Sequence, residues 1–468
     1  MAAFTATSTA IVEPEGFGRL PPRIVVAPPG PRSRALTAEL AAAEAPATST
    51  IANGDVPIFW QAAAGANVLD VDGNLYVDTT AAFGVASIGH RHPAVVAAVQ
   101  AQAARLMHGM GDYLPFTPRQ ELARRLAAIA PMQPAKVLFG LSGSDAVELA
   151  LKVAAVATGR PGVIAFDAAF HGQSYGALAV TARSVFRAPF LAQLGRHVLR
   201  APYPYPYRFA GSADACAAAA LAAVEALLTG PPPPAGPVGA IIVEPVAGRE
   251  GEIVPPPQFL PGLRRLCDRY GVLLIADEVY TGLGRIGRLF AVEHWGVVPD
   301  LICLGKALGG GMPIAAVLGR AELMDRWRPT TPEAPHSSTF LGHPVAAAAA
   351  LAVLDVLERE GMVERSRAVG ERLRARLVEL AARHPAIGEV RGLGAMLGVE
   401  LVRDPTTREP APDLLGAVVA GALRQGVILL PGGMLGNVIS LGPPFVLTDD
   451  QIEAAVNAID AALTACGQ

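Results

Sequence analysis

The chain has 468 residues and a formal net charge of −3, a balance that predicts no binding to nucleic acid or to an anionic membrane. No apolar run approaches the roughly 20 residues of a membrane-spanning helix, and no charged start followed by an apolar block marks a secretory signal. Four widely spaced cysteines without a CxxC pair, and histidines without an HExxH pair, predict neither disulfides nor a metal site and fit a cytoplasmic location.

The N-terminal third contains a predicted arm, a hairpin and two helices. Residues 1–30 are rich in Ala, Thr, Pro and Gly without a sustained period, which predicts a flexible arm. Residues 68–78 alternate apolar and polar side chains around an Asp-Gly turn, which is typical of a β-hairpin. Helices are predicted for 93–107 and 119–130, the second with leucines and an isoleucine on one face.

After this region, short apolar runs alternate with helical stretches. The runs predicted as strands are 136–140, 163–166, 239–246, 272–278 and 301–304. Because strands buried on both faces read as continuous apolar runs, the pattern predicts an α/β fold with a mostly parallel sheet covered by helices. Ligands of such sheets bind beyond the carboxyl ends of the strands, so the polar residues that follow these runs are candidate site residues.

The C-terminal part has a different pattern. Long helices are predicted for about 345–359 and 361–383, followed by short strands and a final helix at 449–465. We interpret this part and the N-terminal hairpin as one smaller α+β domain. The predicted units are the arm (1–30), the N-terminal part of the small domain (31–90), a large domain (91–344) and the C-terminal part of the small domain (345–468).

Lysine is scarce, and one lysine has an unusual setting. Only Lys136, Lys152 and Lys306 occur among 38 basic residues. Arginine replaces lysine on a solvated surface, but its guanidinium stays protonated and cannot attack a carbonyl. Lys306 follows an apolar strand and precedes a glycine triplet, so burial would lower its pKa and make its amine a nucleophile. The alternative is a surface lysine beside a mobile glycine loop.

A carboxylate, Asp277, follows four apolar residues at the end of another predicted strand, 29 positions before Lys306. Pyridoxal 5′-phosphate (PLP) needs such a group beside its pyridine nitrogen, because the protonated ring is the electron sink for a carbanion. A helix cap or a structural ion pair is the alternative for this aspartate.

Two further segments suit the same cofactor. In SGSDAVELALK, Gly143 and Ser144 open a predicted helix whose N-terminal N–H groups could bind a phosphate, although an ordinary N-cap at Ser144 is the alternative. In AFHGQSYG, Phe170 could stack on a pyridine ring, although a core phenylalanine is the alternative.

Together these segments resemble the class III, or ω-aminotransferase, family of fold-type I PLP enzymes. The similar blocks include SGSDAVELALK, ADEVYTGLGRIG, LGKALGGGMPIAAV and HSSTFLGHPVAAAAALAVL, which run in family order over about 50–460. PYPYPYR and GDYLPFTPRQELARRLA look closest to sequences called 4-aminobutyrate aminotransferases. The resemblance implies a fold-type I transferase with PLP as cofactor and a homodimer with shared active sites.

The resemblance also implies a role for individual residues. Lys306 would form the Schiff base and move the proton, and Asp277 would bind the pyridine nitrogen. Glu244 would border the substrate pocket, and Thr339 would reach the phosphate of the neighbouring subunit. The other implied cofactor contacts are Gly143, Ser144, Phe170, His171 and Val279, and the aromatic residues expected near the pocket are Trp60, Phe83 and Tyr113.

Several positions depart from the family pattern. Where relatives that act on 4-aminobutyrate or ornithine often carry arginines, this chain has Gln173 and Ser440, and Tyr280 replaces a frequent glutamine. A bidentate arginine–carboxylate pair is hard to replace with neutral groups. We therefore expect a pocket that suits a more apolar amine or amino acid than 4-aminobutyrate.

Three functions follow from these patterns. The first is a PLP-dependent aminotransferase that moves an amino group from a primary amine or ω-amino acid to a keto-acid. The second is an amino-acid racemase or epimerase on the same fold, which would need a second proton donor that the sequence does not identify. The third is a binding protein on an inactive scaffold, against which Asp277 and Lys306 argue. Accumulation of pyridoxamine phosphate without an acceptor separates the first from the second.

Overall fold

The computed structural model describes residues 13–49 and 56–467. Its strands are β1 (Trp60–Ala64), β2 (Asn67–Asp70), β3 (Leu75–Asp78), β4 (Ala135–Gly140), β5 (Gly162–Phe166), β6 (Val198–Ala201), β7 (Val238–Val243), β8 (Leu273–Asp277), β9 (Leu301–Leu304), β10 (Ala315–Arg320), β11 (Ile387–Leu393), β12 (Met396–Leu401), β13 (Val427–Ile428), β14 (Leu430–Gly432) and β15 (Val438–Leu441).

Its helices and helical turns are α1 (Pro31–Ala43), α2 (Ala81–Gly84), α3 (Pro93–Ala103), α4 (Thr117–Ile129), α5 (Gly143–Thr158), α6 (Tyr175–Val180), α7 (Ser184–Arg187), α8 (Ala213–Thr229), α9 (Phe259–Tyr270), α10 (Ala321–Met324), α11 (Pro344–Arg359), α12 (Met362–Ala381), α13 (Pro412–Arg424) and α14 (Asp449–Ala465). Within the described ranges, none of these helices is both long and apolar enough to cross a bilayer.

The central sheet has seven strands in the order β4-β10-β9-β8-β7-β5-β6. Neighbours from β9 to β6 pair in parallel, and β10 is antiparallel to both β4 and β9. The predicted α/β fold with a mostly parallel sheet is therefore confirmed. The sequence reading missed β6, which is four residues long and contains an arginine, and β10, which follows a glycine-rich loop.

Both faces of this sheet are buried, which explains the continuous apolar runs. Ile241 and Ile242 are adjacent on β7 and fully buried, but they belong to different core clusters on opposite faces. One cluster is formed with α5, and the other includes residues of α4, α8, α9 and α11. Successive side chains of a strand point to opposite faces, so a doubly covered strand has no polar side.

Two smaller sheets have the orders β1-β2-β3-β13 and β11-β12-β15-β14. Strand β13 comes from the C-terminal part of the chain and pairs in parallel with β3 of the N-terminal hairpin. Helices α12, α13 and α14 share a separate core cluster with these strands. Because α11 packs on α3 and α4 in the main core, we propose that the C-terminal part of the small domain begins at α12 rather than at residue 345.

Part of the predicted arm is attached to the hairpin. Arg23 exchanges two backbone hydrogen bonds with Leu75, at 2.8 and 2.9 Å. The backbone N–H groups of Gly18 and Leu20 donate to Oδ1 of Asn67. The structure thus gives residues 13–30 fixed contacts that composition did not indicate, and residues 1–12 of the arm lie outside the described ranges.

Candidate active site

Two neighbouring parallel strands end at the same place. Strand β8 ends at Asp277, which pairs in register with Cys303 of β9, and Lys306 follows three residues later. Because the two strands run in the same direction, their carboxyl ends bring Asp277 and Lys306 to one edge of the sheet.

Asp277 is 4% exposed and both of its carboxylate oxygens are engaged. His171 Nδ1 lies 2.7 Å from Oδ2, so the imidazole donates to the carboxylate there. Oδ1 accepts from the backbone N–H of Val279 at 3.0 Å. The backbone N–H of His171 in turn donates to Thr181 Oγ1, which fixes the imidazole. His171 Nε2 is buried and has no hydrogen-bond partner among the described residues.

The Lys306 amine lies 4.1 Å from the ring centroid of Tyr280. Burial lowers the pKa of Lys306 to about 8, although the negative charges of Glu244 and Asp277 act in the opposite direction. Lys306 also has φ +41°, an unusual backbone conformation for a residue with a side chain. A lysine with this pKa is a free amine in a large fraction of molecules near pH 8.

Glu244 connects two loops at the same edge of the sheet. Its Oε1 accepts from the backbone N–H of Phe170 at 2.8 Å, and its Oε2 accepts from that of Gly248 at 3.1 Å. Burial raises the pKa of Glu244 to about 7. The carboxyl group therefore holds the Phe170 loop against the loop that follows β7.

The N-terminus of α5 lies beside these residues. A Cβ added at Gly143 would lie 2.6 Å from Cγ1 of Val279, and one added at Gly305 would lie 3.4 Å from Cα of Gly143. Only glycine permits so close an approach of backbone and side chain. The helix N-terminus therefore packs directly on the loop between β9 and Lys306.

The helix is capped by Ser142, whose Oγ accepts from the backbone N–H of Asp145 at 3.2 Å. Ser144, the alternative cap in the sequence analysis, instead shares a 2.6 Å hydrogen bond with Ser174 Oγ. It also accepts from the Ser174 backbone N–H at 3.0 Å. Two hydroxyls therefore meet at the N-terminus of α5 beside Gly143, an arrangement that suits a phosphate.

Phe83 lies in α2, a left-handed turn against the lysine. Ala81, Ala82 and Phe83 have φ of 47°, 48° and 61°. A Cβ added at Gly84 would lie 2.5 Å from Cε2 of Tyr280 and 3.7 Å from Cδ of Lys306. The turn thus packs on both residues, and Phe83 remains 60% exposed beside them.

Asp78 holds this turn in place. It accepts hydrogen bonds from the backbone N–H groups of Thr80 at 2.7 Å and Ala82 at 3.2 Å, and from His90 Nε2 at 2.7 Å. Trp60 packs edge-on against the His90 imidazole, with centroids 5.7 Å apart. Trp60 therefore contacts the histidine that supports the turn, and its place near the pocket stays a prediction.

Tyr113 and Thr339 lie on an exposed surface. Tyr113 is 79% exposed, and Thr339 is exposed next to Phe340. Phe340 packs on His108, so the two segments form one surface, which we call the apolar face. Its large exposed apolar side chains are Leu106, Met107, Met110, Tyr113, Leu114 and Phe340.

Sequence reasoning did not assign three residues that the structure places near Lys306. Tyr280 lies under the amine, and Arg249 places its guanidinium 4.9 Å from the ring centroid of Phe170. Glu252 is buried and bonded to Ser440. One sequence signal could have indicated Arg249 and Glu252: both follow Glu244 closely, in a segment that contains two glycines.

Comparison with known proteins identifies relatives. Residues 50–463 match the family model described as aminotransferase class III. The 5-aminovalerate aminotransferase of Pseudomonas aeruginosa is 42% identical over 398 residues, which cover 85% of this chain and 91% of that protein. The alanine/serine racemase of Pyrococcus horikoshii is 38% identical over 449 residues, with coverage of 94% and 92%.

A solved structure has the same fold. An amine transaminase from an uncultivated Pseudomonas species, in its PLP-bound form, matches with a TM-score of 0.83 and 35% identity. The match covers 91% of this chain and 98% of that chain.

The fold and the family match define a fold-type I enzyme that uses PLP. This chain belongs to the class III aminotransferase family, and it is a PLP-dependent aminotransferase. The predictions of family, fold type, cofactor and reaction class are thereby confirmed.

Proposed function

We propose that this enzyme transfers the amino group of an ω-amino acid or a hydrophobic primary amine to a keto-acid, with Lys306 as the residue that binds the cofactor covalently. The observation that carries this proposal is the position of the Lys306 amine. It lies on a half-buried side chain against Tyr280 and near Asp277 and Glu244, with a pKa lowered to about 8. The 5-aminovalerate and amine substrates of the relatives support this range of donors.

The chain offers a contact for each part of the cofactor. We assign the pyridine nitrogen to Asp277, which His171 orients from 2.7 Å. We assign the phosphate to the N-terminus of α5, at Gly143 and Ser144. Val279 and Phe170 would cover the two ring faces. When bound, PLP supplies the electron sink that stabilises negative charge at the substrate carbon.

The residues around Lys306 have distinct tasks in proton transfer. The Lys306 amine is the group that removes and returns the substrate proton, because its pKa, lowered to about 8, leaves a large fraction of it as the free base near pH 8. Tyr280 and the left-handed turn at Phe83 enclose the lysine stem and keep its amine directed into the pocket. Glu244 holds the loops at Phe170 and Gly248 together through its two hydrogen bonds to their backbone N–H groups.

We also propose that two copies form the active unit, with Thr339 contributing to the phosphate site of the partner. The support is the apolar face beside Thr339, since contiguous exposed apolar side chains of this size mark protein interfaces. Sedimentation of the active enzyme as a monomer would contradict this assembly.

The test of the reaction uses the PLP-loaded enzyme and one amine at a time, without a keto-acid. We expect the absorbance of lysine-bound cofactor to fall and that of its amino form to rise. Suitable donors are 5-aminovalerate, pentylamine, an aromatic primary amine and L-alanine. If the spectrum is unchanged by every amine, the proposed reaction is wrong.

Racemisation is the second candidate, and the similarity to the alanine/serine racemase of Pyrococcus horikoshii favours it. Under the same conditions, a racemase would convert L-alanine to a mixture of enantiomers while the cofactor spectrum stays that of the lysine-bound form. Chiral chromatography of the reaction mixture distinguishes the two activities.

A further inference from the structure

The usual positions for a carboxylate-binding arginine are neutral here. Gln173 is exposed beside His171, and Ser440 is buried. The Ser440 hydroxyl donates a hydrogen bond to Oε2 of Glu252 at 3.0 Å, so it is already engaged by a residue of this chain. An ω-amino acid or a keto-acid still brings a carboxylate into the pocket, and a carboxylate is bound best by a cation with several N–H donors.

Two arginines are near enough for their positive charge to lower the pKa of Lys306, namely Arg285 and Arg249. Arg285 is 1% exposed and is occupied by the protein itself. Its guanidinium donates to the carbonyl oxygens of Ala395 and Pro443 and to Ser87 Oγ. It is therefore a structural residue, and Arg249 is the remaining candidate of the two.

The guanidinium of Arg249 forms no ion pair within the described residues. Its neighbour Glu250 is buried and pairs with Arg183, with 2.7 Å between Oε1 and Nε. Within residues 13–49 and 56–467, no carboxylate oxygen lies within 4.0 Å of the Arg249 guanidinium. The side chain instead lies over aromatic rings, 4.9 Å from Phe170 and 5.5 Å from Phe186. Cation–π contacts orient a guanidinium without using its N–H donors.

The backbone places Gly248, the residue before Arg249, against the Tyr280 ring that lies beside the Lys306 amine. A Cβ added at Gly248 would lie 2.6 Å from Cδ1 of Tyr280, and the Tyr280 ring lies 4.1 Å from Lys306 Nζ. Gly248 is also tied to Glu244 by its N–H. Arg249 therefore extends from a fixed backbone position that is one aromatic ring away from the lysine.

We propose that Arg249 binds the substrate carboxylate and so determines specificity for ω-amino acids and keto-acids. The inference rests on the proposed function, because it assumes that such substrates react at Lys306. It assigns the carboxylate site to the loop after β7, in place of positions 173 and 440. Arg249 acts on substrate binding and takes no part in proton transfer.

The test compares two donors that differ only in the distant carboxylate, 5-aminovalerate and pentylamine, with the PLP-loaded enzyme. In Arg249→Met, we expect the ratio of kcat/KM for 5-aminovalerate to that for pentylamine to fall by about 10- to 100-fold, since hydrogen bonds to charged groups contribute roughly 1.5–3 kcal/mol. The matched control is Arg124→Met, a helix-surface arginine paired with Glu121, in which the ratio should be unchanged.

A second measurement does not depend on turnover. Valerate carries the carboxylate but no amine, so its binding to the loaded enzyme can be followed by calorimetry. We expect its Kd to rise in Arg249→Met and to stay constant in Arg124→Met. An unchanged donor ratio and an unchanged valerate Kd in a folded Arg249→Met enzyme would overturn the inference. If the unmodified enzyme converts neither these donors nor the aromatic amine and L-alanine, the proposed function fails instead.

Discussion

Asp277 ends β8 and Lys306 follows β9 by two residues, whereas Phe83 lies in the left-handed turn α2, and Arg249 and Glu252 lie in the loop after β7. We call these the strand-end region and the loop region. In the first, sheet hydrogen bonds and burial on both faces fix each side chain. In the second, Phe83 and Glu252 adopt φ of 61° and 52°, and Glu252 is bonded to Ser440, which lies 188 residues away in the sequence. The comparison teaches that this fold can keep its chemistry while loop substitutions change the substrate.

The largest expected effect is in the strand-end region, at its lysine. Lys306→Ala should lower the half-reaction rate by at least about 10²- to 10⁴-fold, because it removes the group that moves the proton. Borohydride reduction followed by mass spectrometry should no longer attach the cofactor to the chain. Lys136→Ala and Lys152→Ala are the matched controls and should keep the attachment. Attachment that persists in Lys306→Ala would break the assignment of the strand-end region.

Asp277→Asn should give the next largest effect. The amide cannot carry the negative charge that stabilises a protonated pyridine nitrogen, so we expect the half-reaction to slow by about 10²- to 10³-fold. The folded structure should persist because the amide oxygen can still accept from Val279. Single-turnover rates measure the slowing of the half-reaction, and the far-ultraviolet circular dichroism spectrum shows whether the fold persists. A rate near that of the unmodified enzyme would contradict the role of Asp277.

Glu278 is the matched neighbour of Asp277 and should behave in the opposite way. Its two carboxylate oxygens accept from the backbone N–H groups of Ala291 at 2.5 Å and Val292 at 3.0 Å. Glu278→Gln turns one acceptor into a donor facing an N–H, so we expect a loss of about 1–3 kcal/mol in the free energy of unfolding. Denaturant titration measures this loss. A large effect of Glu278→Gln on rate with unchanged stability would show that Glu278 does not have the structural role assigned to it here.

The smallest effect concerns the charges that the loop region places around Lys306. The apoenzyme should capture PLP faster as pH rises through about 8, because Lys306 then loses its proton. Glu244→Gln removes a negative charge that raises this pKa, so the midpoint should move down. Arg249→Met removes a positive charge that lowers it, so the midpoint should move up, each by up to about one unit. Rates of PLP capture, followed by absorbance over pH 6–10, would give the midpoint of each variant. Midpoints that move in the same direction in the two variants would contradict the prediction.

The sequence was sufficient for the strand-end region because its signal is local. One apolar run stops at Asp277 and another stops two positions before Lys306, and these stops mark the strand ends. A glycine triplet follows the lysine. Parallel strands end at a common edge, so the two residues could be placed together before any coordinates. The helix at Gly143 was found in the same way, although Ser142 rather than Ser144 caps it.

The loop region could not be predicted because its contacts are distant in sequence. Arg249 meets Phe170, which is separated from it by more than a strand and two helices, and no periodicity encodes that meeting. Trp60 contacts His90 and Tyr113 lies on the apolar face, and the place of either in the substrate pocket stays a prediction from resemblance. Resemblance gives a position in the chain, while the conformation of the loop decides where the side chain points.

The pairing of β3 with β13 has a consequence for biosynthesis. The Thr79 hydroxyl donates to the carbonyl oxygen of Ile428, a partner 349 residues later in the chain. At about 5–20 residues per second, the ribosome releases the N-terminal hairpin roughly 20–70 s before that partner exists. During this interval one edge of the hairpin is open, and open edges are sites of aggregation. The nascent chain is therefore a natural client for chaperones until its C-terminal residues emerge.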